Sequence, residues 1–239
     1  VGLGEQGLQD ARKMCQWTAE ALKIQPELVL PASTGVIGLP LPMDKIREGT
    51  LSIATNLDNS AEAVESFARA IMTTDTHPKW RNARSGHASL LGVAKGSGMI
   101  EPNMATMLSY LVTDAEIDHS KLQEMLKRAV DSSFNRISID TDTSTSDMVV
   151  LMANGMAGRV NEDEFEKNLT GLCQDLAKDL VRDGEGVTKL IELKISGADS
   201  PQMAQKIGKS IINSPLIKTA VHGADPNWGR FVMAVGKVF

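Results

Sequence analysis

Four polar, glycine-bearing stretches hold the residues whose types and spacing could support chemistry. They are STGVIG at 33–38, KGSGMIEPNMATM at 95–107, DGEGVTK at 183–189 and HGADPNWGR at 222–230. Glycine in such stretches permits close approach of the backbone to a ligand or a left-handed turn. A Gly-rich turn is usually a plain connection, so each stretch alone is weak evidence of a site.

The common catalytic and metal-binding signatures are absent from these stretches. KGSGM lacks the lysine placement of a P-loop, no G-x-G-x-x-G opens a helix, and G-x-S-x-G does not occur. The four histidines, His77, His87, His119 and His222, are scattered without metal-ligand spacing, so we expect no metal site. His222 and Asp225 could form a base and its orienting carboxylate, or they could be ordinary surface or capping residues.

Thr106 is unremarkable when it is considered alone. A β-branched residue inside a strand-like run is typical of packing. Its neighbours favour a second interpretation: the small residue Ala105 precedes it, and a Gly-rich loop with Lys95 lies just upstream. A threonine can become a nucleophile activated by its own α-amine when it is N-terminal.

Six ordered segments give the chain a resemblance to a known family. They are STGVIG, FARAIMTTDT, KGSGMIEPNMATML, FNRISIDTDTSTSD, GEGVTK and SPLIKTAVHGADPNWGR. In these segments the chain resembles the ornithine acetyltransferases, the glutamate N-acetyltransferases of arginine biosynthesis. The resemblance implies a mixed α/β fold of stacked sheets flanked by helices, like that of N-terminal-nucleophile enzymes.

The resemblance also implies self-cleavage between Ala105 and Thr106. The products would be an α part, 1–105, and a β part, 106–239, that begins with the nucleophile. The hydroxyl of Thr106 would then carry an acetyl group from N2-acetylornithine to glutamate in a ping-pong cycle. Members of the family extend beyond this sequence at both ends, so we expect it to be incomplete there and to lack an Asn and a Ser or Thr of the substrate site.

Family positions map onto further residues of this sequence. Thr34 and Gly35 match the pair that stabilises the oxyanion, while Lys95 and Glu185 match charged residues that contact substrate. Thr73 matches another substrate contact, with Thr74 as the alternative register.

Further expectations concern cofactors, partners and location. The resemblance implies no cofactor, with acetyl-CoA as a possible second acetyl donor, and two α and two β chains in the assembly. The net charge of −5 and the lack of a basic block argue against nucleic acid as a partner. The sequence has no long apolar run or signal-peptide layout, so we expect a cytoplasmic protein, or one of an organelle matrix in a eukaryote.

Two other functions remain open on the residues. An N-terminal-nucleophile site that admits water would be an amide hydrolase. A relative that has lost catalysis would be a small-molecule-binding protein.

The remaining pattern predicts the elements that position these residues. With 42% hydrophobic but only 4% aromatic residues, the composition favours α/β packing. Periodicity predicts one helix over 5–23 and another around Leu122–Val130. Two capping boxes predict further helices: Asn59 with Glu62 begins one that runs to about residue 72, and Asn161 with Glu164 begins another. Two strand-like runs are predicted in SLLGVAKGSGM and NMATMLSYLVTD, separated by a Gly-rich turn and Pro102. Further strands are predicted in RISID, DMVVLMAN and TKLIELKISGA, and Ser200-Pro201 predicts a helix start. Cys15 and Cys173 are expected to be buried thiols.

Overall fold

The computed structural model describes residues 2–101 and 107–239 and divides the chain into two compact units, Val1–Phe67 and Ala68–Phe239. The expected cleavage site, Ala105 and Thr106, lies outside the described residues. The division into parts 1–105 and 106–239 therefore stays a prediction.

The first unit is helical. It contains α1 (Glu5–Leu22), a 3₁₀ turn (Pro26–Leu28) and α2 (Met43–Ala54), and α3 (Ala61–Ala70) begins within it. The periodicity that predicted α1 and α3 is confirmed, but α3 starts one residue later than the capping-box pattern indicated. Ser60, not Asn59, is the cap, because its Oγ accepts the Ala63 N–H at 3.2 Å. Cys15 is half-buried rather than buried.

The second unit is built on one four-stranded sheet. Its strands are β1 (Lys79–Ser85), β2 (Ala88–Lys95), β3 (Leu108–Glu116) and β4 (Met148–Arg159), in that spatial order. The first three strands pair antiparallel, and β4 lies parallel to β3. The crossover between β3 and β4 contains α4 (His119–Asp131). A parallel pair needs such a crossover because a tight hairpin cannot join it.

Helices cover the sheet and complete its core. Helix α5 (Glu162–Arg182) packs on β1, β2 and α4. It approaches β2 closely at Gly92, where a Cβ would lie 2.8 Å from side-chain carbons of Leu111, Leu172 and Leu176. The predicted cap of α5 is confirmed, since Asn161 accepts the Glu164 N–H at 2.9 Å. The mixed α/β class, a sheet flanked by helices, is therefore confirmed.

A smaller helical cluster follows α5. It contains α6 (Pro201–Ile212), α7 (Pro215–His222) and α8 (Trp228–Gly236), packed around Ile211, Ile217 and Ala234. Ser200 caps α6 as predicted, accepting the Met203 N–H at 3.1 Å. In the described part of the chain, no helix is both long enough and apolar enough to cross a membrane.

Two predicted strands are wrong. RISID, residues 136–140, begins in a 3₁₀ turn (Phe134–Arg136) and continues as a loop. TKLIELKISGA, residues 188–198, is irregular although its apolar residues alternate. Alternation indicates which side chains can share a face, but a strand also needs a neighbour to complete its backbone hydrogen bonds.

Candidate active site

Lys95 ends β2 with its side chain inside the protein. The residue is 2% exposed, and its Nζ donates a hydrogen bond to Thr73 Oγ1 at 2.8 Å. Two predicted substrate contacts are thus adjacent in the second unit, and Thr73 rather than Thr74 is the partner. Burial lowers the pKa of Lys95, while the carboxylates of Asp75, Asp147 and Glu185 act in the opposite direction.

A buried charged cluster lies beside Lys95. Lys79 Nζ binds Asp75 Oδ1 at 2.7 Å and also binds Asp183 Oδ2. Burial opposes the charge of both aspartates, but hydrogen bonds from Lys79 and neighbouring groups hold the pKa of each below its ordinary value. We call Asp75, Lys79 and Asp183 the buried triad.

The triad fixes the backbone around the Gly-rich turn. Asp75 Oδ1 accepts the Gly96 N–H at 2.7 Å, and the Asp183 carbonyl accepts the Ser97 hydroxyl. The Ser97 carbonyl in turn accepts the Glu185 N–H at 2.8 Å. The turn after β2 and the segment after α5 are therefore bound to each other, and this brings Glu185 toward Lys95.

Glu185 packs directly against the Gly-rich turn. A Cβ at Gly98 would lie 2.6–2.8 Å from the Glu185 carboxylate, so only glycine leaves that carboxylate in place. Glu185 also contributes to the wall of a cavity of about 690 Å³, formed by 136–139, the end of α5, 185–195, α6 and α7. A cavity of this volume is in the range of small-molecule sites.

Asp147 binds Met107, the residue that follows Thr106 in the sequence. Its Oδ1 accepts the Met107 N–H at 2.8 Å, and the next residue, Met148, donates its N–H to the Met107 carbonyl at 3.0 Å. Burial raises the pKa of Asp147 to about 6, and the charge of Lys95 acts against that rise. The carboxylate is therefore mostly ionised at neutral pH and close to the residue after Thr106.

The other predicted site residues are placed as follows. Thr34 and Gly35 lie in the first unit, in the loop between the 3₁₀ turn and α2, with Thr34 half-buried. Gly35 has a φ of 149°, a conformation that favours glycine. Thr106 lies outside the described residues, so the structure brings together Thr73, Lys95 and Glu185 among the predicted set.

Two further expectations concern histidine and metal. His222 Nδ1 lies 3.0 Å from Thr188 Oγ1, and the N–H of Asp225 binds the Ala220 carbonyl as part of the turn after α7. The His222 ring is thus paired with Thr188.

Within residues 2–101 and 107–239, no group of three or more His, Cys, Asp or Glu could hold a metal ion.

The sequence did not predict the buried triad or Asp147. Asp75 and Asp147 lie inside the family-like segments FARAIMTTDT and FNRISIDTDTSTSD, but the resemblance gave neither of them a role. A signal was present: an aspartate flanked by threonine or serine within a segment shared with a family is a candidate for binding backbone N–H groups. Lys79 gave no such signal because β1 itself was not predicted.

Comparison with known proteins identifies relatives over the whole chain. A family model described as the ArgJ family matches residues 1–239. The chain is 54% identical over 239 residues to arginine biosynthesis bifunctional protein ArgJ 2 of Clostridium acetobutylicum, covering 100% of this chain and 61% of that protein. It is 48% identical over 237 residues to glutamate N-acetyltransferase Oat2 of Streptomyces clavuligerus, covering 99% and 60%.

A solved structure shares the fold. The crystal structure of arginine biosynthesis bifunctional protein argJ from Bacillus halodurans matches with a TM-score of 0.50 and 48% identity. The match covers 52% of this chain and 62% of that one. The chain spans about three fifths of the length of the curated relatives it matches.

Proposed function

This chain belongs to the ArgJ family, and from that premise we propose that it forms part of a glutamate N-acetyltransferase that moves the acetyl group of N2-acetylornithine to glutamate. Lys95 and Glu185 carry the proposal, because both lie beside the same Gly-rich turn and the charge of Glu185 acts on Lys95. A cation and a carboxylate at one site suit substrates that carry both a carboxylate and an ammonium group.

Self-cleavage would prepare the nucleophile. The Thr106 hydroxyl attacks the carbonyl carbon of Ala105, the C–N bond breaks, and the nitrogen takes a proton, which leaves an ester between the two residues. Water hydrolyses this ester and releases the Ala105 carboxylate. Thr106 then has a free hydroxyl and a free α-amine, which serves as a nearby base.

Transfer would proceed in two half-reactions. Thr106 Oγ attacks the acetyl carbonyl, and ornithine leaves with its α-nitrogen protonated, so that the enzyme carries an acetyl ester. The α-amine of glutamate then attacks the ester carbonyl, forming N-acetylglutamate and restoring the hydroxyl. One substrate leaves before the other reacts, which makes the cycle ping-pong.

Each charged site residue would bind the substrate group of opposite charge. One of the three Lys95 donors goes to Thr73, and a substrate carboxylate would accept another. Glu185 would bind an ammonium group of ornithine. The Thr34 hydroxyl and the Gly35 N–H would stabilise the oxyanion, and loss of one such donor typically costs about 10²–10³ in rate.

The fold favours fragments that stay together after the cut. Strand β2 precedes the cleavage site and β3 follows it, and the two strands pair from Leu90 with Thr113 to Lys95 with Leu108. We expect the α and β parts to copurify and to separate only on denaturation. An assembly of two α and two β chains in the cytoplasm, with no cofactor and with acetyl-CoA as a possible second donor, is part of the same proposal.

Intact-mass measurement of the natural full-length protein tests the proposal. Wild type should show two fragments divided at the Ala105–Thr106 bond, and Thr106→Ala should remain one chain. The cut protein should then acetylate glutamate from N2-acetylornithine, and a parallel assay with acetyl-CoA would determine whether it is a second donor. Acetate release that does not depend on glutamate would favour the amide hydrolase, and an intact wild type that still transfers acetyl would overturn the self-cleavage mechanism.

A further inference from the structure

Both carboxylate oxygens of Asp75 are bound to groups around Lys95. Oδ2 accepts the Thr73 N–H at 3.1 Å, and Oδ1 accepts the Gly96 N–H at 2.7 Å. Gly96 follows Lys95 in the chain, and the hydroxyl of Thr73 accepts a hydrogen bond from Lys95 Nζ at 2.8 Å. One carboxylate therefore fixes the backbone on both sides of the hydrogen bond between Lys95 and Thr73.

The Asp75 carboxylate is itself held in place. Its side chain is fully buried, and Oδ1 accepts a further hydrogen bond from Lys79 Nζ at 2.7 Å. A side chain whose rotamer is fixed by packing and by several hydrogen bonds can hold its neighbours in a defined geometry. Asp75 is such a fixed point for Thr73 and for the end of β2.

Lys95 and Thr73 together offer two adjacent hydrogen-bond donors. Because the Thr73 hydroxyl accepts from Lys95, its own proton can go to another oxygen, and the Lys95 ammonium group has two further N–H donors. Thr73 is exposed whereas Lys95 is 2% exposed, so Thr73 is the member of the pair that solvent reaches. Two adjacent donors, one of them charged, suit the two oxygens of a carboxylate.

The charge of Lys95 depends on the groups that face it. Burial lowers the pKa of Lys95, and the positive charge of Lys79 acts in the same direction. The carboxylates of Asp75, Asp147 and Glu185 act against this fall, and Asp75 has the largest effect of the three. The residue that fixes the geometry around Lys95 is therefore also its main counter-charge.

We propose that Asp75 is a positioning residue for substrate binding: it holds Thr73 and Lys95 together as one carboxylate-binding pair, and its charge balances the Lys95 ammonium group inside the protein. The pair binds the carboxylate of N2-acetylornithine in the first half-reaction and that of glutamate in the second. Asp75 touches neither substrate and acts through these two residues. The inference rests on the proposed function, because that function makes Thr73 and Lys95 substrate contacts.

Two variants of the natural full-length protein test this assignment. Asp75→Asn removes the negative charge and keeps one acceptor oxygen. Asp183→Asn makes the same change at the other carboxylate of the buried triad, which accepts from Lys79 and from the Thr76 N–H. Each variant leaves Lys79 with one carboxylate, so Asp183→Asn is the matched control for damage to the triad.

Two measurements are made on both variants and on wild type. The first is the protonation of Lys95, obtained by labelling the lysines with acetic anhydride over a range of pH and quantifying the labelled peptides by mass spectrometry. This labelling needs neither self-cleavage nor acetyl transfer. The second is kcat and KM for glutamate as a function of pH in the cut protein. Because glutamate titrates identically in every assay, differences between variants belong to the protein.

In Asp75→Asn, Lys95 should become reactive at a pH at least about one unit lower than in wild type, because its main counter-charge is lost. The rise of KM at alkaline pH should begin at least about one unit lower as well, which corresponds to about a tenfold higher KM at the same alkaline pH. The accompanying fall in kcat should be smaller than the rise in KM. Asp183→Asn should leave both pH curves where they are in wild type.

An unshifted Asp75→Asn curve in either measurement overturns the assignment, as does an equal shift in Asp183→Asn. An Asp75→Asn chain that does not fold gives Asp75 a structural role and overturns it too. Each of these results would leave the proposed function intact, since wild type would still transfer acetyl groups. Wild type that transfers none would instead overturn the proposed function, and with it the role of Asp75 in substrate binding.

Discussion

Replacing Lys79 by Met should destabilise the protein strongly. The Lys79 and Asp75 side chains are 0% exposed and that of Asp183 is 3% exposed, so the two carboxylates would be left buried without their shared cation. Breaking a buried ion pair by removing one partner typically costs about 3–5 kcal/mol. Because Lys79 donates hydrogen bonds to both carboxylates, we expect a loss of about 3–5 kcal/mol in the free energy of unfolding.

Urea denaturation followed by circular dichroism measures this loss, with Lys121→Met as the matched control. Lys121 makes an ion pair with Glu162 in which the side chains are 50% and 43% exposed, and solvent screens such exposed pairs so that they contribute little to stability. Neutralising both carboxylates of the triad in the Lys79→Met background should restore part of the stability. A Lys79→Met loss no larger than that of Lys121→Met would refute the reasoning.

Three further predictions follow from the same region. Gly98→Ala should displace the Glu185 carboxylate and raise the KM for N2-acetylornithine several-fold with little change in Tm, whereas Gly171→Ala, in open space on α5, should leave KM unchanged. Burial raises the pKa of the Asp147 carboxyl to about 6, so its ionised form destabilises the folded protein. Asp147→Asn should therefore increase the free energy of unfolding by about 1 kcal/mol at pH 8 and leave it unchanged below about pH 4. The two carboxylates bound by Lys79 have lowered pKa values, so wild-type stability should be present above about pH 4 and fall below it, as acid denaturation scans would show.

Local pattern was sufficient for the long elements. The periodicity of α1, α4 and α5 and the capping residues Asn161 and Ser200 predicted where helices lie, since amphipathic spacing and N-cap chemistry are local properties. Strand β1 was missed because its polar, charged sequence KWRNARS acquires its role by pairing with β2. Residues 188–198 were wrongly predicted as a strand. Their apolar and polar residues alternate as in a strand, but none of the described strands pairs with them.

The site shows the same division between local and non-local information. Lys95 and Glu185 came from a family resemblance, and nothing in their local sequence indicates that they are near each other. Their proximity depends on the buried triad, whose members Asp75 and Asp183 are separated by more than a hundred residues and joined through Lys79. Contacts of this kind form only when β1, the Gly-rich turn and the end of α5 meet in the folded chain.

The mass of the acyl-enzyme tests whether the acetyl group passes through Thr106, as we propose. The cut, full-length protein is mixed with N2-acetylornithine without glutamate, quenched in acid, and the intact masses of its fragments are measured. The fragment that begins at Thr106 should gain one acetyl group and lose it when glutamate is added before the quench. Transfer that proceeds while that fragment stays unmodified, or an acetyl group on the other fragment, would exclude an acetyl-Thr106 intermediate.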